Sequence, residues 1–303
     1  AVFPVIGEPH PVEETTWSKN IVWDERPAGT PLCGVKRPFL WLPTTTGTKT
    51  TLIYFHANGE DLSFVERHLR KLGNYLRVNV LAVEYPGYGP LRGGRVHEAS
   101  CAEIIGGIDS AAVHALWYAV SELGCPPSQV VVHGHSLGSG AALRLALHAR
   151  NHMRLGGVIV QCPFLSLKKA AADIFGSVGS LVMPDHYDNL DAVRQLYSDP
   201  NGYTVPLMVV HGEKDTVIPP YHGHELHDEA LRLGATSVCG WFPENATHND
   251  WDAKDLAGPI SEFLKANNII VPGSIFDNAV SRLDVTKSLS MWGCRGKQRG
   301  SGI

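Results

Sequence analysis

Gly134-His135-Ser136-Leu137-Gly138 places a serine between two glycines, directly after the apolar β-branched run Gln129-Val130-Val131-Val132-His133. The residues that follow, Ser139 to Leu147, have the composition of a helix. A strand, a sharp turn and a helix with serine at the apex hold a nucleophilic hydroxyl out at the edge of a sheet. Glycines at 134 and 138 remove the Cβ atoms that would collide where the turn is tightest and the helix packs down. The helix N-terminus behind Ser136 favours negative charge developing on a substrate oxygen. The matching chemistry is attack on a carbonyl carbon, which requires a base and a group that orients the base.

Two later segments supply those groups. Pro206 to Gly212 is a strand-like run, and the loop after it, Glu213-Lys214-Asp215-Thr216-Val217-Ile218-Pro219, carries Asp215. Ser237-Val238-Cys239-Gly240-Trp241-Phe242 is a further strand-like run, followed by Pro243-Glu244-Asn245-Ala246-Thr247-His248. Carboxyl ends of parallel strands are where such a sheet positions its functional residues. His248 is thus read as the base and Asp215 as the group that fixes its tautomer. Asp215 has a competing reading as the cap of a helix starting near Pro219-Pro220. His56 and His135 also lie beside the proposed nucleophile in the sequence, but neither follows a late strand after the acid.

These residues resemble the serine α/β-hydrolases, and within them the bud-emergence-type hydrolases and α/β-hydrolase-domain protein depalmitoylases. The resemblance rests on Gly134 to Gly138, His211 to Pro219 and Thr247-His248-Asn249-Asp250. Tyr54-Phe55-His56-Ala57-Asn58-Gly59-Glu60-Asp61, Glu84-Tyr85-Pro86-Gly87-Tyr88-Gly89 and Asp185 to Leu190 add to it. It spans roughly residues 37 to 267. The order Ser136, Asp215, His248 is the order of this family's triads. The resemblance implies an oxyanion hole made by the backbone N–H groups of Leu137 and Asn58. One departure bears on this: relatives commonly read His-Gly-Asn-Ala where this chain reads His56-Ala57-Asn58-Gly59. Alanine resists a left-handed backbone, so the second donor is either Asn58 or its neighbour.

Strand-like and helix-like runs alternate along the chain, which predicts an α/β fold with a mostly parallel sheet flanked by helices. Further strands are expected at Thr51 to His56, Val78 to Tyr85 and Gly157 to Gln161, with Phe39 to Leu42 beginning the sheet from an edge. Helices fit Leu62 to Tyr75, Ile108 to Leu123 and Asp252 to Ala266. The domain reading is an N-terminal extension over 1–36, a hydrolase domain over 37–268 with a small cap within 163–204, and a tail over 269–303. In the cap stretch, Phe164, Phe175 and Leu181 are either packing of a crossover helix or the wall of an acyl-chain pocket hinged at Gly176 and Gly179.

Composition agrees with one large domain. In 303 residues, 44% hydrophobic and 18% charged, a core forms without disulfides or metal ions. A net charge of −4 supplies no electrostatic footprint for nucleic acid. No unbroken run of 18 apolar residues occurs, so no bilayer span is expected. The six cysteines are scattered without zinc-type spacing, which suits a reducing compartment. The sequon Asn245-Ala246-Thr247 abuts His248, where a glycan would crowd the site. The expectation is therefore a cytoplasmic protein, acting where its substrate requires at the cytosolic face of a membrane. In the tail, Lys287, Arg295, Lys297 and Arg299 suit either a solvated end or weak attraction to anionic lipid.

The reading that follows is a serine hydrolase, free of metal and cofactor, working through an acyl-enzyme. The resemblance implies a long-chain acyl ester or thioester on a protein or lipid, with palmitoyl-protein thioesters first. A lysophospholipase or carboxylesterase is the alternative. Outside enzymes, the alternative is a binding module that has kept the fold and lost catalysis.

Overall fold

Alternating side chains on near-continuous apolar runs give a strand two buried faces, and such strands must lie between two layers of helices. The computed structural model describes residues 18–25, 36–91, 101–176, 183, 186–198 and 204–269. Its strands are β1 (Ile21–Glu25), β2 (Lys36–Leu42), β3 (Thr51–Phe55), β4 (Asn79–Val83), β5 (Val130–His135), β6 (Gly157–Gln161), β7 (Leu207–Val210) and β8 (Val238–Trp241). They form one eight-stranded sheet in the order β1-β2-β4-β3-β5-β6-β7-β8. Pairing is antiparallel from β1 through β2 to β4 and parallel throughout the rest. The helices are α1 (Leu62–Leu76), α2 (Cys101–Trp117), α3 (Leu137–Ala149), α4 (Leu167–Phe175), α5 (Asn189–Tyr197), α6 (Tyr221–Arg232) and α7 (Ala253–Ala266).

The period of two is visible in the core. Ile53, Leu81, Val132, Val160 and Val209 face one apolar layer, packed with residues of α2, α3 and α5. Leu52, Val80, Val131, Ile159 and Met208 face the other, packed with Leu69 and Leu72 of α1 and Ile260 of α7.

Two sequence expectations are revised. The sheet does not begin at Phe39: β2 starts at Lys36, and β1 lies outside it at residues placed in the N-terminal extension. Three half-buried and two exposed residues, ending in Asp24-Glu25, carry too weak an alternation to announce a strand. Helix α2 starts before Ile108, because Gly106 and Gly107 do not break it. At Gly107 the helix runs so close to Pro86 that a Cβ would lie 2.7 Å from its ring. The helical stretch Glu103–Glu122 is also long and apolar enough to cross a bilayer by composition alone. Here it is a core helix, with Ile108, Ala111, Ala115 and Ala119 buried against the sheet.

Residue 69 tests this layering. Leu69 is fully buried under the sheet, so Leu69→Ala should cost about 3 kcal/mol in chemical denaturation. Phe64, on the same helix but 72% exposed, should change stability by less than about 0.5 kcal/mol when replaced by alanine.

Candidate active site

The parallel strands end in register, and a ladder of hydrogen bonds continues one residue past them. Ser136 N–H donates to the Gln161 carbonyl (2.9 Å), Cys162 N–H to Val210 (2.7 Å) and His211 N–H to Trp241 (3.0 Å). The loops carrying Ser136, Asp215 and His248 therefore leave one edge of the sheet from β5, β7 and β8.

Ser136 sits at φ 52°, ψ −113°, a left-handed backbone that costs a non-glycine residue roughly 1–3 kcal/mol. Its surroundings hold it there. Its carbonyl accepts from the Ser139 N–H (2.9 Å) and Ser139 Oγ (2.6 Å). The glycines matter as anticipated: a Cβ on Gly134 would lie 2.1 Å from the Gly138 carbonyl oxygen, and one on Gly138 2.1 Å from that of Phe55.

His248 Nε2 lies 3.0 Å from Ser136 Oγ, and its Nδ1 lies 2.7 Å from Asp215 Oδ2. A carboxylate only accepts, so Nδ1 carries the proton and Nε2 offers its lone pair to the Ser136 hydroxyl. Asp215 Oδ2 also accepts from His211 Nε2 (3.1 Å), while Oδ1 accepts from the N–H groups of Val217 (2.9 Å) and Ile218 (2.8 Å). The cap reading of Asp215 is thus partly correct: it braces its own loop, although α6 begins later, after Pro220.

Burial alone would raise the Asp215 pKa, but the hydrogen bonds from His211 and His248 outweigh it and hold the carboxyl well below its usual range. Burial lowers the His248 pKa and the charges of His135 and His211 lower it further, against the pull of Asp215. These influences together favour the neutral imidazole of His248.

The loop after β3 is built on buried charge. His56 Nε2 donates to Glu84 (3.0 Å) and its Nδ1 faces the Ala57 carbonyl (2.9 Å). Burial disfavours the imidazolium, yet Glu84 raises its pKa overall. The Ala57 N–H donates to Glu60 Oε2 (2.8 Å), so this amide is engaged, and the amide of the next residue, Asn58, remains the second oxyanion candidate. Ala57 is not left-handed; that conformation falls on Gly59, at φ 84°. Leu137 opens α3, where the first amides lack partners within the helix.

Of the cap candidates, Phe164 and Phe175 do not share one surface. Phe164 is buried in the core, Phe175 ends α4 at 69% exposure, and Leu181 lies outside the described residues. Sequence reasoning passed over His211, whose position at the end of β7, four residues before Asp215, was the available signal. It also passed over Trp251 Nε1–H and His135 Nε2–H, which donate to the His248 carbonyl at 2.9 and 3.0 Å. Cys162, His211 and Asp215 bring ligand-type atoms within 4.8 Å of one another. A cation there would compete with His248 for Asp215, so the arrangement serves the histidine.

Residues 110–254 match the model of the prolyl oligopeptidase family, and this segment contains all three hydrogen-bonded residues. Protein bem46 of Schizosaccharomyces pombe is 30% identical over 75% of this chain and 71% of its own length. The chain belongs to the bem46-type α/β hydrolases. Human alpha/beta hydrolase domain-containing protein 17B is 26% identical over 75% of this chain and 68% of its own. Among solved structures, mouse alpha/beta hydrolase domain-containing protein 10 covers 81% of this chain and 98% of its own at TM-score 0.55 and 14% identity. A soluble variant of Saccharomyces cerevisiae monoglyceride lipase covers 86% and 99% at TM-score 0.57 and 15% identity. These last two show the shared fold. The membership makes this chain a hydrolase.

The His248 ring gives a direct test. By NMR its imidazole should titrate below the ordinary 6.5, and Asp215→Asn should move it lower still by removing the carboxylate that opposes burial. An unchanged or raised value in the variant would contradict the electrostatics described above.

Proposed function

We propose that this bem46-type hydrolase cleaves acyl esters and thioesters through Ser136, His248 and Asp215. The observation that carries the reading is the continuous relay from Ser136 Oγ through His248 to Asp215. Ser136 Oγ attacks the carbonyl carbon as His248 Nε2 takes its proton, and Asp215 stabilises the imidazolium. The N–H groups of Leu137 and Asn58 receive the oxyanion, with the first turn of α3 adding its dipole. His248 then protonates the departing alcohol or thiol, and water repeats the sequence on the acyl-enzyme.

For substrate class, the reading favours a long acyl chain, with palmitoyl-protein thioesters at a cytosolic membrane face first. Its support is the likeness to the depalmitoylase subgroup and the exposed apolar side chains of Ile174 and Phe175 on α4 and Val217, two residues past Asp215. A lysophospholipase or small-molecule carboxylesterase is the second reading, favoured by the same relay and by the fold shared with a monoglyceride lipase.

Ser136→Ala should abolish turnover and fluorophosphonate labelling with little change in Tm, since it removes one hydroxyl and opens no cavity. His248→Ala should cost about as much, and the double variant hardly more, because triad members act as a unit. Multiplicative losses in the double variant would remove His248 as the base.

A kcat/KM series from two to sixteen carbons, run with esters and thioesters, separates the substrates. Depalmitoylation requires a thioester preference that rises with chain length; a short-chain optimum with esters points to a carboxylesterase. Phe175→Ala should lower kcat/KM for long chains and spare acetyl esters, at up to ~0.8 kcal/mol for each methylene left in water. Equal losses on long and short chains would make residue 175 irrelevant to chain-length preference.

A further inference from the structure

His135 occupies the variable position just before the nucleophile, where the sequence reading weighed it only as a false base. It is buried, at 4% exposure, and does not point its bonding at Ser136. Its Nε2 lies 3.0 Å from the His248 carbonyl oxygen, across 113 residues of chain. A carbonyl only accepts, so Nε2 carries a proton. Its Nδ1 lies 3.9 Å from Glu60 Oε2. That same oxygen accepts the Ala57 N–H at 2.8 Å, one residue before Asn58. His135 therefore stands between the loop that carries the base and the loop that carries the second oxyanion donor. Neither loop touches the other through backbone hydrogen bonds among the described residues.

Resting on the serine-hydrolase reading above, we infer that His135 is a positioning residue: with Glu60 it clamps the His248 loop to the Asn58 loop, so that base and oxyanion donor keep a common frame. The imidazole ring does this through one donated hydrogen bond and one charge contact. Its Nε2–H holds the His248 main chain, which Trp251 holds from the other side. Its Nδ1 faces the Glu60 carboxylate, where burial would raise the carboxyl pKa but His135 and the Ala57 N–H hold it down at about 2. The rings of His135 and His248 lie 5.4 Å apart, and the electrostatic influence of His135 lowers the His248 pKa.

Every charged neighbour enters this balance. His248 faces Asp215 and His211 from the end of β7 and its loop, and His135 from β5. His135 faces Glu60 from the β3 loop, His68 from α1 and His133 from its own strand. Of these, His135 is the group that contacts both loops.

The test uses the full chain, with kcat and KM measured on p-nitrophenyl acetate from pH 4.5 to 9 and Ser136→Ala as reference. His135→Gln keeps a donor for the His248 carbonyl and loses the charge. It should retain kcat within about threefold while the acid limb of kcat/KM moves up toward the ordinary histidine value. His135→Leu loses both contacts and should lower kcat by 10- to 100-fold with a much smaller change in KM, as expected for a misplaced catalytic group (about 100-fold per ångström). Glu60→Gln should lower kcat in the wild-type background and have little further effect beside His135→Leu, because the two act through one clamp.

If His135→Leu does not fold, the pH profile of His135→Gln still decides. An acid limb identical to wild type in His135→Gln, or additive losses of Glu60→Gln and His135→Leu, overturns the clamp. Full activity in Ser136→Ala would instead overturn the serine-hydrolase reading, which is a separate result.

Discussion

Helix α3 approaches β3 so closely that only a hydrogen fits between Gly138 and the Phe55 carbonyl. This steric constraint governs the catalytic edge. A chain leaving β5 and entering α3 at that separation must reverse within one residue, and that residue is Ser136 with its left-handed backbone. The reversal makes Ser136 the residue just before α3, next to the amide of Leu137 that opens the helix. The side chain proposed as nucleophile and the amide proposed as oxyanion donor thus share one packing requirement. The ladder from Ser136 to Gln161, Cys162 to Val210 and His211 to Trp241 then sets the heights at which the acid and base loops depart.

Much of this was legible in the residues because it depends on hard contacts. Glycines at 134 and 138 mark a turn by the absence of Cβ, and β-branched runs before it mark buried parallel strands. Asp215 and His248 were legible because each follows such a run. What escaped was pairing between distant segments. His211 gave only a strand-end position; its bond to Asp215 depends on a loop that folds back after four residues. Space for that ring is made by Gly223, on α6, where a Cβ would lie 2.6 Å from Nδ1. Edge strand β1 escaped because a half-buried strand of five residues has no distinctive pattern. Phe164 and Phe175 looked alike in sequence, yet the first lies in the core between β6 and α4 and the second ends α4 in solvent.

Charge is distributed around the site in buried pairs. His56 with Glu84, and Asp215 with His211 and His248, each satisfy a carboxylate with several donors. Glu84 accepts from the His56 ring and from the amides of Leu62 and Tyr85, so a single carboxylate joins the ends of β3, β4 and α1. A buried carboxylate is tolerable only when so surrounded, and the result is loops held by many directional bonds rather than by apolar contact. Such loops are preorganised: the groups that receive developing charge need little rearrangement when it appears.

The acid and base loops also cross at a point that has a kinetic meaning. Gly212 passes so near Ala246 that a Cβ would lie 2.3 Å from its carbonyl oxygen, and Glu213 and Lys214 donate their amides to Pro243 and Ala246. The His248 loop hangs from β8, a strand of only four residues at the edge of the eight-stranded sheet, paired among the described residues to β7 alone. Edge elements open at a lower free energy than the centre of a sheet. Fraying of β8 would release His248 while β3, β5 and α3 stay folded, leaving Ser136 in place but without a base. On the proposed mechanism, such local opening is expected to end turnover at a lower temperature than the one at which the sheet as a whole unfolds.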